Sequence, residues 1–257
     1  MKVSYTTPKL RVIARLDIKG EDLIKGINFE GVRKLGRPDE FARRYYQAGI
    51  DEILYIDAVA SLYGRNNLVD VVERTTRDIF VPLTVGGGVK SVEDVESLLR
   101  AGADKIAVNT AAISNPKLLS EIAKNFGSQC LVVSIQAKRT PNGWECYVDQ
   151  GREKTGKQVL EWVKEVQDLG AGELLIASVD KDGTRKGMDV DLVRSVCDLC
   201  AIPVVAGSGL GSELHAVKLL EEVQASAIVV GAALHHGDIT VSSLKSYLCQ
   251  NNINVRS

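Results

Sequence analysis

The 257-residue chain lacks an excess of charge of either sign. Its 32 lysines and arginines nearly balance its 33 aspartates and glutamates, which leaves a formal net charge of −1 at pH 7. Nucleic acids and anionic membrane surfaces select proteins with a basic excess or a basic stripe. The balance argues against both, and we expect the partner to be a small molecule or another protein.

Long apolar runs are also missing. No stretch approaches the ~20 apolar residues that a helix needs to cross a bilayer. The first residues, MKVSYTTPKLRVIAR, lack the apolar centre of a secretory signal. We therefore expect a cytoplasmic protein with no membrane partner.

Cysteine is too sparse for a disulfide framework. The five cysteines are odd in number, which favours reduced thiols. Cys197 and Cys200 form the single C-x-x-C of the chain, with no second pair and no nearby histidine. Buried cysteines on a helix face are favoured over a metal or redox site. We predict no metal and no cofactor.

Short apolar, β-branched runs alternate with amphipathic stretches such as SVEDVESLLRAG along the whole chain. This alternation predicts a parallel sheet closed into a (β/α)₈ barrel, formed by one domain over residues 1–257. The predicted strands are residues 11–17, 52–57, 82–86, 105–109, 131–136, 173–178, 203–207 and 227–231.

The two halves of the chain repeat each other. The 32 residues from Pro82 align without a gap with those from Pro203, an offset of 121, and match strand, glycine turn, helix and strand. AGIDEILYIDAVAS and LGAGELLIASVDKDG match at the same offset. The repeat predicts a barrel built from two half-barrels.

Two glycine-rich turns, VGGGVKS (85–91) and AGSGLGS (206–212), follow strands and open helices. Glycines there let backbone N–H groups approach an anion at a helix N-terminus, although one such turn can also be only a tight connection. Each half has a second element after its next strand, NTAAI (109–113) and GAALHH (231–236), where such barrels cradle phosphate. We predict one phosphate site per half and a substrate with two anionic ends.

Ionisable residues at strand ends lie between the two predicted phosphate sites. Asp17 ends the first strand and Lys19 follows it, Asp57 ends the second, and Asp180 and Asp182 follow the sixth. Such groups perform general acid/base chemistry. An aspartate at a strand end can also cap a helix or brace a loop, so both roles stay open.

Over nearly its whole length the chain resembles HisF, the cyclase subunit of imidazole glycerol phosphate synthase. The motifs that carry this resemblance are LDIKGEDLIKGINFE, TVGGGV, KIAVNTAAISNP, FGSQ, GAGELLIASVDKDGT and NNINVR. That family is a (β/α)₈ barrel with a glutaminase docked at its N-terminal face. It adds ammonia from the glutaminase to a bisphosphorylated ribulosyl intermediate of histidine biosynthesis.

The resemblance implies roles for individual residues. Asp17 corresponds to the first catalytic aspartate, and Lys25 to a loop lysine that closes over the substrate. The implied ligands of the first phosphate are Gly88, Asn109 and Thr110. The implied ligands of the second are Asp182, Gly183, Gly209, Gly231 and Ala232. The implied ammonia gate is a ring of charged residues at the starts of strands, Arg11, Glu52, Lys105 and Glu173. From the residues alone, the same four charges are also consistent with a solvated barrel floor.

The departures from the family pattern concern the chemistry. At the position of the family's second catalytic aspartate this chain has Gln136, which corresponds to Asp17 in the repeat. An amide does not transfer protons near neutral pH. A threonine becomes Ala177, a cysteine becomes Arg15, and Ser-Gly-Gly after the seventh strand reads GSG.

Three functions remain open at this stage. The favoured one is a HisF-like paralogue that uses ammonia to convert a sugar N-acetyl group into an acetamidino group in surface-glycan synthesis, acting on a phosphorylated or nucleotide-linked sugar. The stretch VASLYGRNN (59–67) resembles such paralogues. The alternatives are the genuine histidine-pathway cyclase and a non-catalytic scaffold that activates a glutaminase.

Overall fold

A computed structural model describes residues 9–58 and 68–256. The stretch VASLYGRNN therefore lies outside the described residues. In chain order the strands are β1 (Arg11–Lys19), β2 (Asp22–Ile27), β3 (Glu30–Gly36), β4 (Glu52–Asp57), β5 (Leu83–Gly86), β6 (Lys105–Val108), β7 (Leu131–Thr140), β8 (Gly143–Val148), β9 (Glu153–Gln158), β10 (Glu173–Ser178), β11 (Val204–Gly207) and β12 (Ala227–Val230).

Helices connect the strands along the outside of the sheet. They are α1 (Pro38–Gln47), α2 (Leu68–Thr76), α3 (Val92–Arg100), α4 (Thr110–Ser114), α5 (Lys117–Phe126), α6 (Val159–Asp168), α7 (Val190–Cys197), α8 (Glu213–Glu222), α9 (Ala232–His236) and α10 (Val241–Gln250). Within 9–58 and 68–256, none of them is long and apolar enough to cross a membrane.

Eight parallel strands close into a barrel. Their order is β1, β4, β5, β6, β7, β10, β11 and β12, and β12 pairs with β1 again. Each strand is buried over most of its length and rich in β-branched residues, as expected where helices cover a parallel sheet. The predicted (β/α)₈ barrel is confirmed, and all eight predicted strands are present.

The two-half repeat is visible in the element bounds. The bounds of β4, β5 and α1 reappear in β10, β11 and α6 after a shift of 121 residues. Each half also carries an antiparallel hairpin after its first strand, formed by β2 and β3 in one half and by β8 and β9 in the other. Both hairpin turns begin with two consecutive non-glycine residues of positive φ, at residues 28–29 and 149–150.

The two hairpins were not predicted from the sequence. β3 is exposed along most of its length, so no buried alternation marks it. The prediction that Lys25 lies on a loop is wrong, because Lys25 belongs to β2 and faces the interior. The hairpin places this lysine above the barrel mouth, in contact with Asp17 and Asp182.

Side chains inside the barrel alternate with those that face the helices. An apolar layer fills the middle of the barrel, between the strand starts and the strand ends. Its members are Ile13, Leu54, Ile56, Ala107, Val132, Leu175, Val205, Ala227 and Val229. The strand starts below this layer and the strand ends above it carry the charged groups.

Candidate functional site

Three neighbouring cavities lie at the C-terminal ends of the barrel strands. The first pocket, of about 380 Å³, lies over β5, β6 and β7. The second pocket, of about 20 Å³, lies over β11, β12 and β1. The third pocket, of about 180 Å³, lies between them under the β2–β3 hairpin. Gln150 borders the first and third pockets, while Lys25 and Asp182 border the third and second. The three cavities are therefore neighbours across the mouth, separated by these shared side chains.

The first pocket contains the residues that the sequence assigned to the first phosphate. Gly88, Asn109 and Thr110 all line it. The hairpin β8–β9 fixes the last two: the Asn109 amide donates to the carbonyl of Tyr147, and the N–H of Asp149 donates to the Thr110 hydroxyl oxygen. The Thr110 hydroxyl proton thus stays available to an oxygen ligand.

The second pocket brings together all five residues assigned to the second phosphate, Asp182, Gly183, Gly209, Gly231 and Ala232. It is closed by the β2–β3 hairpin. The N–H of Asn28 donates to the carbonyl of Asp182 at 2.8 Å. A Cβ on Gly183 would lie 2.1 Å from the carbonyl oxygen of Gly26, so only glycine permits this contact.

The backbone has the same shape at both pockets. Gly87 and Gly88 have φ of 101° and 73°, and Ser208 and Gly209, 121 residues later, have 76° and 88°. The residues before the short helices α4 and α9 match as well, with φ and ψ of −126° and −82° at Asn109 and −127° and −89° at Gly231. Ser208 adopts this left-handed conformation at a cost in strain, and its hydroxyl donates to Asp182.

Four buried charged side chains form a mouth cluster between the second and third pockets: Arg15, Asp17, Lys25 and Asp182. Asp17 accepts from Arg15 Nε and from Lys25 Nζ, both at 2.7 Å. Lys25 Nζ also lies 3.1 Å from Asp182 Oδ2. Burial alone would raise the pKa of Asp17, but the charges of Arg15 and Lys25 outweigh it and hold that pKa well below the ordinary range.

Lys25 keeps its proton by the same balance. Burial lowers its pKa, and the carboxylates of Asp17 and Asp182 more than compensate, so the pKa lies above the ordinary value. Near neutral pH the cluster therefore holds the ionised carboxylate of Asp17 against the cations of Arg15 and Lys25.

Gln136 occupies the position equivalent to Asp17 in the other half-barrel. Asp17 pairs with Ile56, the fifth residue of β4, and Gln136 pairs with Ala177, the fifth residue of β10. The Gln136 side chain is buried, lines the first pocket, and its Oε1 accepts the N–H of Gly151 at 2.8 Å. The amide oxygen is thus engaged by the backbone, at the place where the other half carries a carboxylate.

The four predicted ring residues lie at the opposite end of the barrel and contact one another. Arg11 donates to Glu52 at 2.7 Å and to Glu173 at 2.5 Å. Lys105 lies 3.2 Å from Glu52 and 2.9 Å from Glu173. The alternating charges close a ring around the barrel axis, which we call the charged ring, rather than lying apart on a solvated floor.

Two other candidates have structural neighbours. Asp180 accepts the backbone N–H of Arg139, so it braces the end of β7 outside the three mouth pockets. Asp57 lines the first pocket.

Burial raises the pKa of Cys197 and of Cys200 to about 11, so both thiols stay protonated. Within the part of the chain that the structure describes, no three side chains of the kinds that bind metals are grouped together.

The structure adds two residues whose place in the site the sequence did not predict. Arg15, noticed only as a departure from the family, lines the second pocket. His235 on α9 is half-buried, and its Nδ1 lies 2.7 Å from the Tyr45 hydroxyl. Burial lowers the pKa of His235 to about 4. The two consecutive histidines in GAALHH give no periodic signal that distinguishes the half-buried one from the exposed one.

The fold and the site define a (β/α)₈ barrel enzyme with paired glycine-turn pockets at one end and a charged ring at the other. The sequence pattern of the family described as "Histidine biosynthesis protein" matches residues 11–240. The chain belongs to this family and, by its relatives, to the HisF group within it.

Those relatives carry the name "Imidazole glycerol phosphate synthase subunit HisF". One from Legionella pneumophila is 56% identical over 203 residues, covering 79% of this chain and 96% of the relative. One from Prochlorococcus marinus (strain MIT 9211) is 44% identical over 250 residues, covering 96% and 97%. One from Streptococcus mutans is 42% identical over 249 residues, covering 96% and 99%.

Proposed function

We propose that this chain is the synthase subunit of a glutamine-dependent amidotransferase in the cytoplasm. It receives ammonia from a glutaminase at its N-terminal face and adds it to an acceptor with two anionic ends at its C-terminal face. The favoured acceptor is an N-acetyl sugar, phosphorylated or linked to a nucleotide, whose acetamido group becomes an acetamidino group in surface-glycan synthesis.

The barrel interior supports a path for ammonia. The charged ring leads into the apolar layer, which leads to the mouth cluster. Transfer of a full charge into such an interior costs much more than transfer of a neutral polar molecule. The layer therefore favours ammonia over ammonium, and the ring is placed to take up the proton or exclude the ion.

The N-terminal face offers a docking surface for a partner. Phe80 precedes β5 at this end of the barrel and is 79% exposed. Its only ring neighbour among the described residues is Tyr46, at an edge-on centroid distance of 6.2 Å. Exposed aromatic side chains next to a functional opening are typical of protein interfaces, and a glutaminase seated there would cover the charged ring.

The choice of acceptor rests on the amide side chain of Gln136. Imidazole ring closure needs proton transfer on both faces of the substrate, and of the two equivalent strand positions one carries the carboxylate of Asp17 and the other the amide of Gln136. Amidation of an acetamido carbonyl whose oxygen already carries an activating group forms one C–N bond, breaks the C–O bond as that oxygen leaves with the group, and closes no ring. The Gln136 Nε2 group can still donate a hydrogen bond to such an acceptor from the wall of the first pocket.

The histidine-pathway cyclase is the second candidate, favoured by a different observation. The row of three neighbouring pockets, with glycine turns at both ends, suits a bisphosphorylated ribulosyl chain. The names of the relatives point the same way. A scaffold without chemistry is disfavoured, because four buried charges are expensive to maintain when they serve no ligand.

Incorporation of isotopically labelled ammonium tests the proposal. The purified chain is supplied with labelled ammonium and, in separate reactions, with the bisphosphorylated ribulosyl intermediate or with a nucleotide-linked N-acetyl sugar in activated form. We expect label in the sugar product and little in imidazole glycerol phosphate. The reverse result assigns the chain to the histidine pathway, and no incorporation with either acceptor supports the scaffold.

A further inference from the structure

Arg15 is an arginine buried inside the barrel with most of its hydrogen-bonding groups unused. Its side chain is 6% exposed and borders the second pocket. Within residues 9–58 and 68–256 its Nε donates to Asp17, and its two terminal NH₂ groups have no hydrogen-bond partner. A buried guanidinium offers five donors, so four N–H groups remain for a ligand or water.

The fold itself provides the comparison for this position. Arg15 pairs with Leu54, the third residue of β4, and Ser134 pairs with Leu175, the third residue of β10. Arg15 and Ser134 are therefore equivalent in the two half-barrels. The small neutral side chain of Ser134 lines the first pocket, which has a volume of about 380 Å³. The large cationic side chain of Arg15 lines the second pocket, which has a volume of about 20 Å³.

A purely structural role does not account for the arginine. Asp17 already has Lys25 as a buried cationic partner, at the same 2.7 Å distance. A second cation adds desolvation cost and leaves donors unpaired, which is unfavourable unless something else binds them. The Phe29 ring lies 5.3 Å from the guanidinium carbon and holds the planar group in place. The donors are thus oriented in advance.

Cationic side chains outnumber carboxylates in the lining of the second pocket. Arg15, Lys25 and Arg185 line it with one carboxylate, Asp182, while Asp17 and Asp238 pair with these cations from outside the lining. The backbone turns at Gly209 and Gly231 repeat the conformation found at the first pocket. A planar fork of donors opposite such turns matches a phosphoryl group, which an arginine binds through two parallel hydrogen bonds.

We propose that Arg15 is a direct ligand of a phosphoryl group in the second pocket and determines which acceptors this half-barrel takes. The proposal deepens the proposed function and rests on its acceptor having two anionic ends. The closed pocket holds about one water molecule, so binding requires the β2–β3 hairpin to lift and Lys25 to release Asp182. Arg15, on the barrel strand, stays in place.

Binding of inorganic phosphate tests this role without any ammonia or acceptor chemistry. Wild type, Arg15→Ser and Arg15→Lys are titrated with phosphate by calorimetry, and crystals of each are soaked in phosphate. Arg15→Ser copies the residue of the equivalent position. We expect wild type to bind phosphate in both pockets and Arg15→Ser to bind it only in the first. Loss of two charge-assisted hydrogen bonds predicts second-pocket affinity lower by on the order of 100-fold in Arg15→Ser, and by about 10-fold in Arg15→Lys.

A variant that still binds phosphate in the first pocket is folded. If Arg15→Ser does not fold, the second-pocket affinity of Arg15→Lys tests whether Arg15 binds phosphate there. The proposal is overturned if the second pocket of wild type takes no phosphate, or if either variant binds phosphate there as tightly as wild type. A negative result here leaves the ammonia-incorporation result unchanged, so the two proposals fail independently.

Discussion

Replacing Gln136 with aspartate restores the carboxylate that the half-barrel symmetry lacks. General acid/base catalysis by one group contributes about 10²–10⁴-fold in rate. The lower end applies here. An aspartate is shorter than glutamine by one methylene, about 1.5 Å of reach, and it loses the contact with the Gly151 N–H. The neighbouring Ala177 supplies no hydroxyl to order the reacting end.

The assay measures imidazole glycerol phosphate formed from the bisphosphorylated ribulosyl intermediate and ammonium chloride, with no glutaminase present. We expect Gln136→Asp to exceed wild type by on the order of 10²-fold. Gln136→Asn is the matched control, because it has the size of aspartate and leaves the same Gly151 N–H unpaired, at about 1–3 kcal/mol of stability. Equal rates for the Asp and Asn variants, or a fast wild type, would refute the reasoning.

Three further predictions concern the charged ring, the first pocket and His235. Lys105→Ala leaves Glu52 and Glu173 with Arg11 only, so we expect less product per glutamine hydrolysed and nearly unchanged activity with free ammonium. Lys124→Ala, at an exposed residue, is the control. An unchanged amount of product per glutamine hydrolysed in Lys105→Ala would contradict the gate. Gly88→Asp puts a side chain and a negative charge at a residue with φ of 73°, so phosphate should vanish from the first pocket alone in soaked crystals. The pKa of His235 in the folded protein is lowered to about 4 from 6.5. Its contribution to stability is therefore complete above pH 6.5 and is lost as the pH falls toward 4. In chemical denaturation the free energy of unfolding should fall by up to about 1.4 kcal/mol per pH unit over this range, and His235→Gln should remove that slope.

The barrel could be predicted from the sequence because its strands are short, β-branched and buried on both sides. Two of the eight predicted strands, 52–57 and 173–178, have the observed bounds. The charged ring was implied by the resemblance to HisF, while the residues alone also allowed a solvated floor; the barrel geometry explains why its members meet. A charged residue at the first position of a buried strand, repeated in several strands of a closed barrel, can only meet its counterparts at one end.

The hairpins and the mouth cluster were harder to predict. The hairpin strand β3 is polar and exposed, so its pairing depends on β2 rather than on a hydrophobic pattern. Arg15 has no sequence signal, since buried arginines are rare and depend on partners from distant segments. Here those partners are Asp17 on the same strand and Phe29 on the hairpin turn, and the hairpin itself was not predicted.

Passage of ammonia through the barrel is the central claim, and nitrogen labelling tests it most directly. The complex with its glutaminase is given glutamine labelled at the side-chain amide, together with an excess of unlabelled ammonium and the acceptor. If ammonia passes from the N-terminal face through the charged ring to the mouth, the product carries label well above its share of the bulk ammonium. Product labelled only in proportion to the bulk pool would contradict the account.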